Sequence, residues 1–115
     1  MKKILIVDDE KDFCAFMKDY LLKRDFAVDV VFDGREAKDL LEHNRYDYVF
    51  FDCNMPELSG VELAREIQKN NPVAKKVMIT GYEHIDEHFS KEVGIDLLLT
   101  KPVSLKQIKE IIDNA

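Results

Sequence analysis

Residues 4–13, ILIVDDEKDF, place a short apolar run directly before three acids, Asp8, Asp9 and Glu10. Four apolar residues in succession are typical of a strand that is buried on both faces of a parallel sheet. The acids that follow repel one another, because two carboxylates about 4 Å apart repel by roughly 4 kcal/mol at an effective dielectric constant of about 20. The segment therefore predicts a buried strand that ends in a site where a cation must offset negative charge.

The same strand signal returns along the chain, and amphipathic segments separate its occurrences. Short apolar runs predict five strands, at residues 4–7, 27–32, 48–51, 76–79 and 97–99. Apolar residues at helical spacing are Phe13, Phe16, Met17, Tyr20 and Leu21 near the N-terminus, and Leu105, Ile108, Ile111 and Ile112 near the C-terminus. Five strand and helix pairs in alternation predict an α/β fold, with right-handed crossovers and helices on both faces of the sheet.

Three helix starts are marked by a capping residue and by a side chain three positions later that can reach back to it. These pairs are Asp33 with Glu36, Ser59 with Glu62, and Ser104 with Gln107. We therefore expect one helix to begin directly after each capping residue.

The composition restricts the size, the compartment and the partners of the protein. With 115 residues, of which 46% are hydrophobic and 35% charged, the chain is expected to form one domain, residues 1–115. Its formal charge of −6 disfavours direct binding to nucleic acid or to an anionic membrane surface. No apolar run approaches the roughly 20 residues that span a bilayer, and the opening MKKILIV is too short in apolar residues for a signal peptide. We therefore expect a cytoplasmic protein without a membrane partner.

The two cysteines, Cys14 and Cys53, provide neither a disulfide framework nor a metal-ligand spacing. Both are expected to be reduced thiols in or near the core. If the strand continues past Asp52, alternation turns the side chain of Cys53 away from Asp52. A redox role is not expected for Cys53, because the neighbouring charges are negative and disfavour a thiolate.

Polar residues follow four of the predicted strands. Asp8 and Asp9 follow the first, Asp52 the third, Thr80 the fourth and Lys101 the fifth. Each of these residues alone is more typical of a solvated loop or a helix cap than of a site. Together they lie at the carboxyl edge of an open parallel sheet, where ligands bind, so their coincidence favours a site.

The chemistry of these side chains indicates which ligand the site takes. Carboxylates without histidine or cysteine suit Mg²⁺, whereas the spacing of a calcium-binding EF-hand loop is missing from the sequence. A metal and the ammonium of Lys101 leave room for an anion, and a phosphoryl group fits best, with a carboxylate as the attacking group.

Four motifs, IVDDE, DCNMPELSG, ITG and KPV, occur in this order over essentially the whole chain. Together they resemble the receiver domain of two-component response regulators of the chemotaxis-Y-like kind. The resemblance implies a flavodoxin-like, doubly wound fold, with a five-stranded parallel sheet in the order 2-1-3-4-5 and five helices. It also implies a cis peptide bond between Lys101 and Pro102, a tight helix entry at Gly60, and an open approach to the site at Gly81.

The resemblance assigns a role to each candidate site residue. Asp52 accepts a phosphoryl group from a sensor histidine kinase or a phosphotransfer protein, Thr80 hydrogen-bonds a phosphoryl oxygen, and Lys101 pairs with it. The ligands of Mg²⁺ are Asp9, Asp52 and the backbone carbonyl of Asn54, with Asp8 acting mainly through water.

The function that the resemblance implies is signalling. The domain is not expected to be an enzyme beyond its own phosphorylation and autodephosphorylation. Phosphorylation switches a surface made by the fourth helix, the fifth strand and the fifth helix, which binds a downstream protein. Because the sequence ends at Ala115, we expect a single-domain regulator or the receiver piece of a longer one.

Two positions depart from the pattern of the family. Leu98 stands where the family usually has Tyr or Phe, and Val103 stands where Phe is common. Leu98 is either a simple packing residue or part of a rewired switch that involves Tyr82 or Phe89. Val103 is expected to change core packing only.

Three alternatives are less well supported by the residues. A pseudo-receiver that never takes phosphate does not explain the intact Asp52, Thr80 and Lys101. A slow aspartyl-phosphate phosphatase of the haloacid-dehalogenase type usually has a second Asp two residues after its nucleophile, where this chain has Asn54. A nucleotide binder on the same fold needs a glycine-rich loop after the first strand, where this chain has acids.

Overall fold

Parallel strands form the central layer of the computed structural model, which describes residues 1–53, 59–81 and 94–113. The strands are β1 (Lys3–Val7), β2 (Ala27–Val31), β3 (Tyr48–Asp52), β4 (Lys75–Thr80) and β5 (Leu97–Thr100). The helices of this part of the chain are α1 (Lys11–Leu22), α2 (Gly34–His43), α3 (Gly60–Asn70) and α4 (Leu105–Asp113). One further helix, the fourth along the chain, was predicted between β4 and β5, and residues 82–93 of that segment lie outside the described residues.

The sheet has the order β2-β1-β3-β4-β5, and every neighbouring pair of strands is parallel. This confirms the strand order that the family resemblance implies. Val7 pairs with Phe51, and Asp52 pairs with Ile79. The chain therefore leaves β1, β3 and β4 at neighbouring points of one sheet edge, as the positions of the polar residues predict.

Each face of the sheet buries its own apolar layer, which explains the unbroken apolar character of the central strands. Leu5 and Val49 belong to the layer that packs on α2 and α3, whereas Ile6 and Phe50 belong to the layer that packs on α1 and α4. Burial of one such side chain stabilises the fold by about 1.5–3 kcal/mol. The helices therefore hold the sheet from both sides and fix the edge where the strands end.

The three predicted helix caps are confirmed. Asp33 Oδ1 accepts a hydrogen bond from the backbone N–H of Glu36 at 2.8 Å, and Ser59 Oγ accepts one from Glu62 at 3.3 Å. Ser104 and Gln107 bond reciprocally: Gln107 N–H donates to Ser104 Oγ at 3.2 Å, and Ser104 N–H donates to Gln107 Oε1 at 2.9 Å.

The predicted apolar face of α1 is partly wrong. Phe16 was placed on the buried face, but it is 53% exposed. Cys14, Met17 and Leu21 are the buried residues of the helix. These three lie at i, i+3 and i+7, so the buried stripe runs from Cys14 through Leu21 to Met17, and Phe16 falls outside it. None of the helices in the described part of the chain is long and apolar enough to cross a membrane.

Gly60 lets the start of α3 approach the chain that leaves β3, as the resemblance implies. A Cβ on Gly60 would lie 2.7 Å from Cys53 Cα, which is a backbone atom that cannot swing aside. The N–H of Gly60 also donates to the carbonyl of Cys53 at 3.1 Å. This contact couples the helix to the residue next to Asp52.

We predict that Gly60→Ala lowers the free energy of unfolding by about 1–3 kcal/mol, because the added methyl group overpacks this contact. Urea denaturation followed by circular dichroism measures the change. The matched control is Gly81→Ala, because a Cβ there meets no described atom within 4 Å, and its effect should stay within about 0.5 kcal/mol. Equal losses in the two variants would show that the contact at Cys53 is not the cause.

Candidate functional site

Three carboxylates meet at the edge where β1 and β3 end. Asp8 and Asp9 follow β1, and Asp52 is the last residue of β3. One side-chain oxygen from each lies within 4.8 Å of the others. Asp8 and Asp52 are only 1% and 5% exposed, whereas Asp9 is exposed. The sheet register produces this proximity, because the residues after Val7 and Phe51 leave adjacent strands side by side.

Lys101 supplies a positive charge to this cluster. Its Nζ donates to Asp52 Oδ2 at 2.9 Å and to Glu10 Oε1 at 2.8 Å, and it lies 3.7 Å from Asp8 Oδ2. Burial alone lowers the pKa of Lys101, but the hydrogen bonds to Glu10 and Asp52 and the charge of Asp8 raise it above the ordinary lysine value. Lys101 is therefore an ammonium at neutral pH.

Asp8 is a buried carboxylate whose charge is only partly offset by its neighbours. Its Oδ1 accepts a hydrogen bond from the N–H of Glu10 at 2.9 Å. Its Oδ2 is buried and has no hydrogen-bond partner among the described residues. Burial raises the pKa of Asp8, and the N–H of Glu10 and the charge of Lys101 offset only part of that rise. Ionised Asp8 is therefore less favourable in the folded protein than in water, and a further cation or donor would reduce that cost.

Thr80 is the last residue of β4 and is fully buried. It contacts both Lys101 and Cys53. Its carbonyl accepts from the N–H of Lys101 at 2.7 Å. Its Oγ1 accepts from the thiol of Cys53, with 3.2 Å between Sγ and Oγ1. The side chain of Cys53 was predicted to point away from Asp52 if the strand continued past Asp52. Because β3 ends at Asp52, strand alternation does not apply to Cys53.

The remaining predicted positions have separate outcomes. Leu98 is half-buried and packs against the apolar layer under α2 and α3, and Val103 packs against the layer under α1 and α4. The peptide bond between Lys101 and Pro102 is cis, as the resemblance implies. Asn54, Tyr82 and Phe89 lie outside the described residues.

Two residues of the site were given no role of their own from the sequence, although Glu10 belongs to the acidic run that predicted a cation there. The thiol of Cys53 contacts Thr80, and the carboxylate of Glu10 shares the ammonium of Lys101 with Asp52. The sequence carries a signal for Glu10, because it is the third acid of the run after β1. Its contact with Lys101 joins residues 91 positions apart, so sequence proximity could not show it.

The donor set fits a hard divalent cation such as Mg²⁺. Three carboxylates at one point offer only oxygen ligands, which is the preference of Mg²⁺. The buried Oδ2 of Asp8, which lacks a hydrogen-bond partner among the described residues, is the kind of atom that a cation or its bound water satisfies.

We predict that Asp8→Asn, measured in a chelating buffer at neutral pH, raises the free energy of unfolding by about 1 kcal/mol, because it removes a disfavoured buried charge. The folded-state pKa of Asp8 is raised, so its penalty is complete above that pKa, decreases as the pH falls through it, and is gone below the pKa of the unfolded state. The advantage of the variant should therefore shrink as the pH is lowered.

Asp39→Asn is the control for this comparison, since Asp39 is an exposed residue of α2. Its effect on the free energy of unfolding should be within about 0.5 kcal/mol. Loss of stability in Asp8→Asn would contradict the assignment of Asp8 as the destabilising member of the cluster.

The chain matches the family model of the response regulator receiver domain over residues 4–113. It is similar to the solved CheY-like receiver domain protein from Methanospirillum hungatei JF-1, with 32% identity, a TM-score of 0.88, and coverage of 99% of this chain and 95% of that one. It is also similar to the response regulator TrrA from Thermotoga maritima, solved in complex with Mg²⁺-BeF, with 32% identity, a TM-score of 0.86, and coverage of 99% and 98%. TrrA in a complex with the histidine kinase ThkA gives 32% identity, a TM-score of 0.84, and coverage of 99% and 97%. With a matching fold and a match over almost its entire length, the chain belongs to the family of response regulator receiver domains.

Proposed function

We propose that this receiver domain takes a phosphoryl group onto Asp52 from a histidine kinase or a phosphotransfer protein. The observation that carries this proposal is the position of Asp52 itself, which ends β3 beside Asp8 and accepts a hydrogen bond from Lys101 at 2.9 Å. A carboxylate is a weak nucleophile, and it becomes effective when neighbouring positive charge offsets the charge of the incoming phosphoryl oxygens. The arrangement around Asp52 meets that requirement.

In the proposed transfer, one oxygen of Asp52 attacks phosphorus in line with the bond to the donor nitrogen. The phosphorus–nitrogen bond breaks, and its electron pair leaves with the imidazole of the donor histidine. Lys101 then exchanges part of its contact with Asp52 for a contact with a phosphoryl oxygen. The hydroxyl of Thr80 donates a hydrogen bond to another phosphoryl oxygen. Thr80 is the last residue of β4, and Lys101 directly follows β5. Both therefore lie at the same sheet edge as Asp52, which supports these roles.

Asp9 and Asp52 would hold Mg²⁺ with the backbone carbonyl of Asn54, and Asp8 would act mainly through water. When bound, the ion offsets the negative charge of the acids and of the phosphoryl oxygens. The convergence of Asp8, Asp9 and Asp52 supports this ligand set, and Asn54 lies outside the described residues. The complex of TrrA with Mg²⁺-BeF gives further support by likeness.

We also propose the partners and the compartment that follow from this role. A histidine kinase is supported by the complex of TrrA with ThkA. The downstream partner is proposed to bind the face made by β5, α4 and the helix that was predicted between β4 and β5. Residues 82–93, between those two strands, lie outside the described residues. The formal charge of −6 argues against direct contact with nucleic acid or an anionic membrane. The free thiols of Cys14 and Cys53 suit a reducing cytoplasm.

Receiver domains are signalling domains, so the proposed chemistry ends with the phosphorylated domain and its own dephosphorylation. Residues 1–115 are proposed to form this one domain, which acts either alone or as the receiver piece of a longer regulator. The phosphorylation test below also separates this role from that of a pseudo-receiver that binds partners without taking phosphate.

We predict that incubation with a small phosphodonor and Mg²⁺ adds one phosphoryl group to the wild type and none to Asp52→Asn. The amide of Asn cannot form the mixed anhydride, although it has nearly the same shape as the carboxylate. Intact-protein mass spectrometry reports the adduct, and Asp39→Asn serves as a variant that should be modified like the wild type. An unmodified wild type, or an adduct that persists in Asp52→Asn, would reject the assignment.

A further inference from the structure

Cys53 contacts the hydroxyl that the proposed function gives to the phosphoryl group. Its Sγ lies 3.2 Å from Thr80 Oγ1, and the thiol is the donor. A threonine hydroxyl has one proton to donate and two lone pairs to accept with. When the thiol donates to Oγ1, the proton of Thr80 must point elsewhere, because it cannot lie along the same line. The contact therefore restricts the direction in which Thr80 donates.

The backbone of Cys53 is fixed from two directions. Its N–H donates to the carbonyl of Ile79 at 2.9 Å, and its carbonyl accepts from the N–H of Gly60 at 3.1 Å. A Cβ added to Gly60 would lie 2.7 Å from Cys53 Cα, so the start of α3 lies close against the backbone of Cys53. The side chain of Cys53 is half-buried and packs against the apolar layer under α2 and α3. The sulfur atom is thus held at the end of β4 by elements on both sides of it.

We propose that Cys53 is a positioning residue, whose thiol orients the hydroxyl of Thr80 so that its proton is available to a phosphoryl oxygen on Asp52. This inference rests on the proposed function and adds a residue to it. No covalent change of the thiol is involved. The thiol is a weak donor, so its contribution should be a modest change in rate.

A double-mutant cycle tests whether Cys53 acts through Thr80. The rate of phosphorylation by a small phosphodonor with Mg²⁺ is measured for the wild type, Cys53→Ala, Thr80→Ala and the double variant. Cys53→Ala should slow the wild type about threefold and should have no further effect when Thr80 is already alanine. Cys53→Ser should remain close to the wild-type rate, because a serine hydroxyl also donates. Equal slowing by Cys53→Ala in both backgrounds would assign Cys53 a packing role and overturn the inference.

The infrared S–H stretching band gives a second readout that does not require phosphorylation. A thiol that donates a hydrogen bond absorbs at lower frequency than one that does not, and comparison with Cys53→Ala separates the band of Cys53 from that of Cys14. Thr80→Ala should move the Cys53 band to higher frequency, and Thr80→Ser should leave it in place. A Cys53 band at the same frequency in the wild type and in Thr80→Ala would show that the thiol does not donate to Thr80, and would overturn the inference.

The two readouts also separate this inference from the proposed function. A wild type that takes no phosphoryl group would reject the proposed function, and the positioning role would fall with it. A wild type that is phosphorylated, but shows no coupling between Cys53 and Thr80, would reject the positioning role alone.

Discussion

The repulsion among Asp8, Asp9 and Asp52 is the constraint on which the other features of this site depend. With the ammonium of Lys101 the group keeps a formal charge of two negative units, and two of its three acids are almost fully buried. Such a group is unfavourable in a folded protein unless a further cation joins it. Lys101 already contacts Asp52 and Glu10. The remaining negative charge is what a divalent ion would offset, and the proposed phosphoryl transfer depends on that offset.

The fold tolerates this local cost because stability and chemistry are located in different parts of the molecule. The apolar layers on the two faces of the sheet hold the strands together along their length. The acids, Thr80 and Lys101 lie where the strands end, outside those layers. A change of charge at the edge therefore alters the site without removing the contacts that maintain the sheet. Gly60 is an exception, because its contact with Cys53 links helix packing directly to the site.

Much of the architecture follows from local patterns in the sequence. The apolar runs predicted all five strands to within one residue at each end. The capping pairs predicted three helix starts. The convergence of Asp8 and Asp52 was predicted because parallel strands end at one edge. The order of the strands came from the family resemblance, since periodicity does not say which strands are neighbours.

The features that the sequence did not reveal depend on the rotation of a helix or on where a strand stops. Phe16 was placed in the core because its spacing fits a helix face, but the buried face is rotated toward Cys14 and leaves Phe16 exposed. Cys53 contacts Thr80 in the site, and β3 ends one residue before Cys53. Glu10 contacts Lys101, although the two residues are far apart in the sequence. None of these can be derived from the identity of the residue alone.

The most direct test of the account is a titration of the protein with Mg²⁺, followed by amide chemical shifts in nuclear magnetic resonance. The account predicts saturable shifts in the millimolar range, concentrated at Asp8, Asp9, Asp52 and the neighbouring Thr80 and Lys101. Unchanged spectra over this range, or weak shifts spread over the exposed acids of the surface, would contradict it.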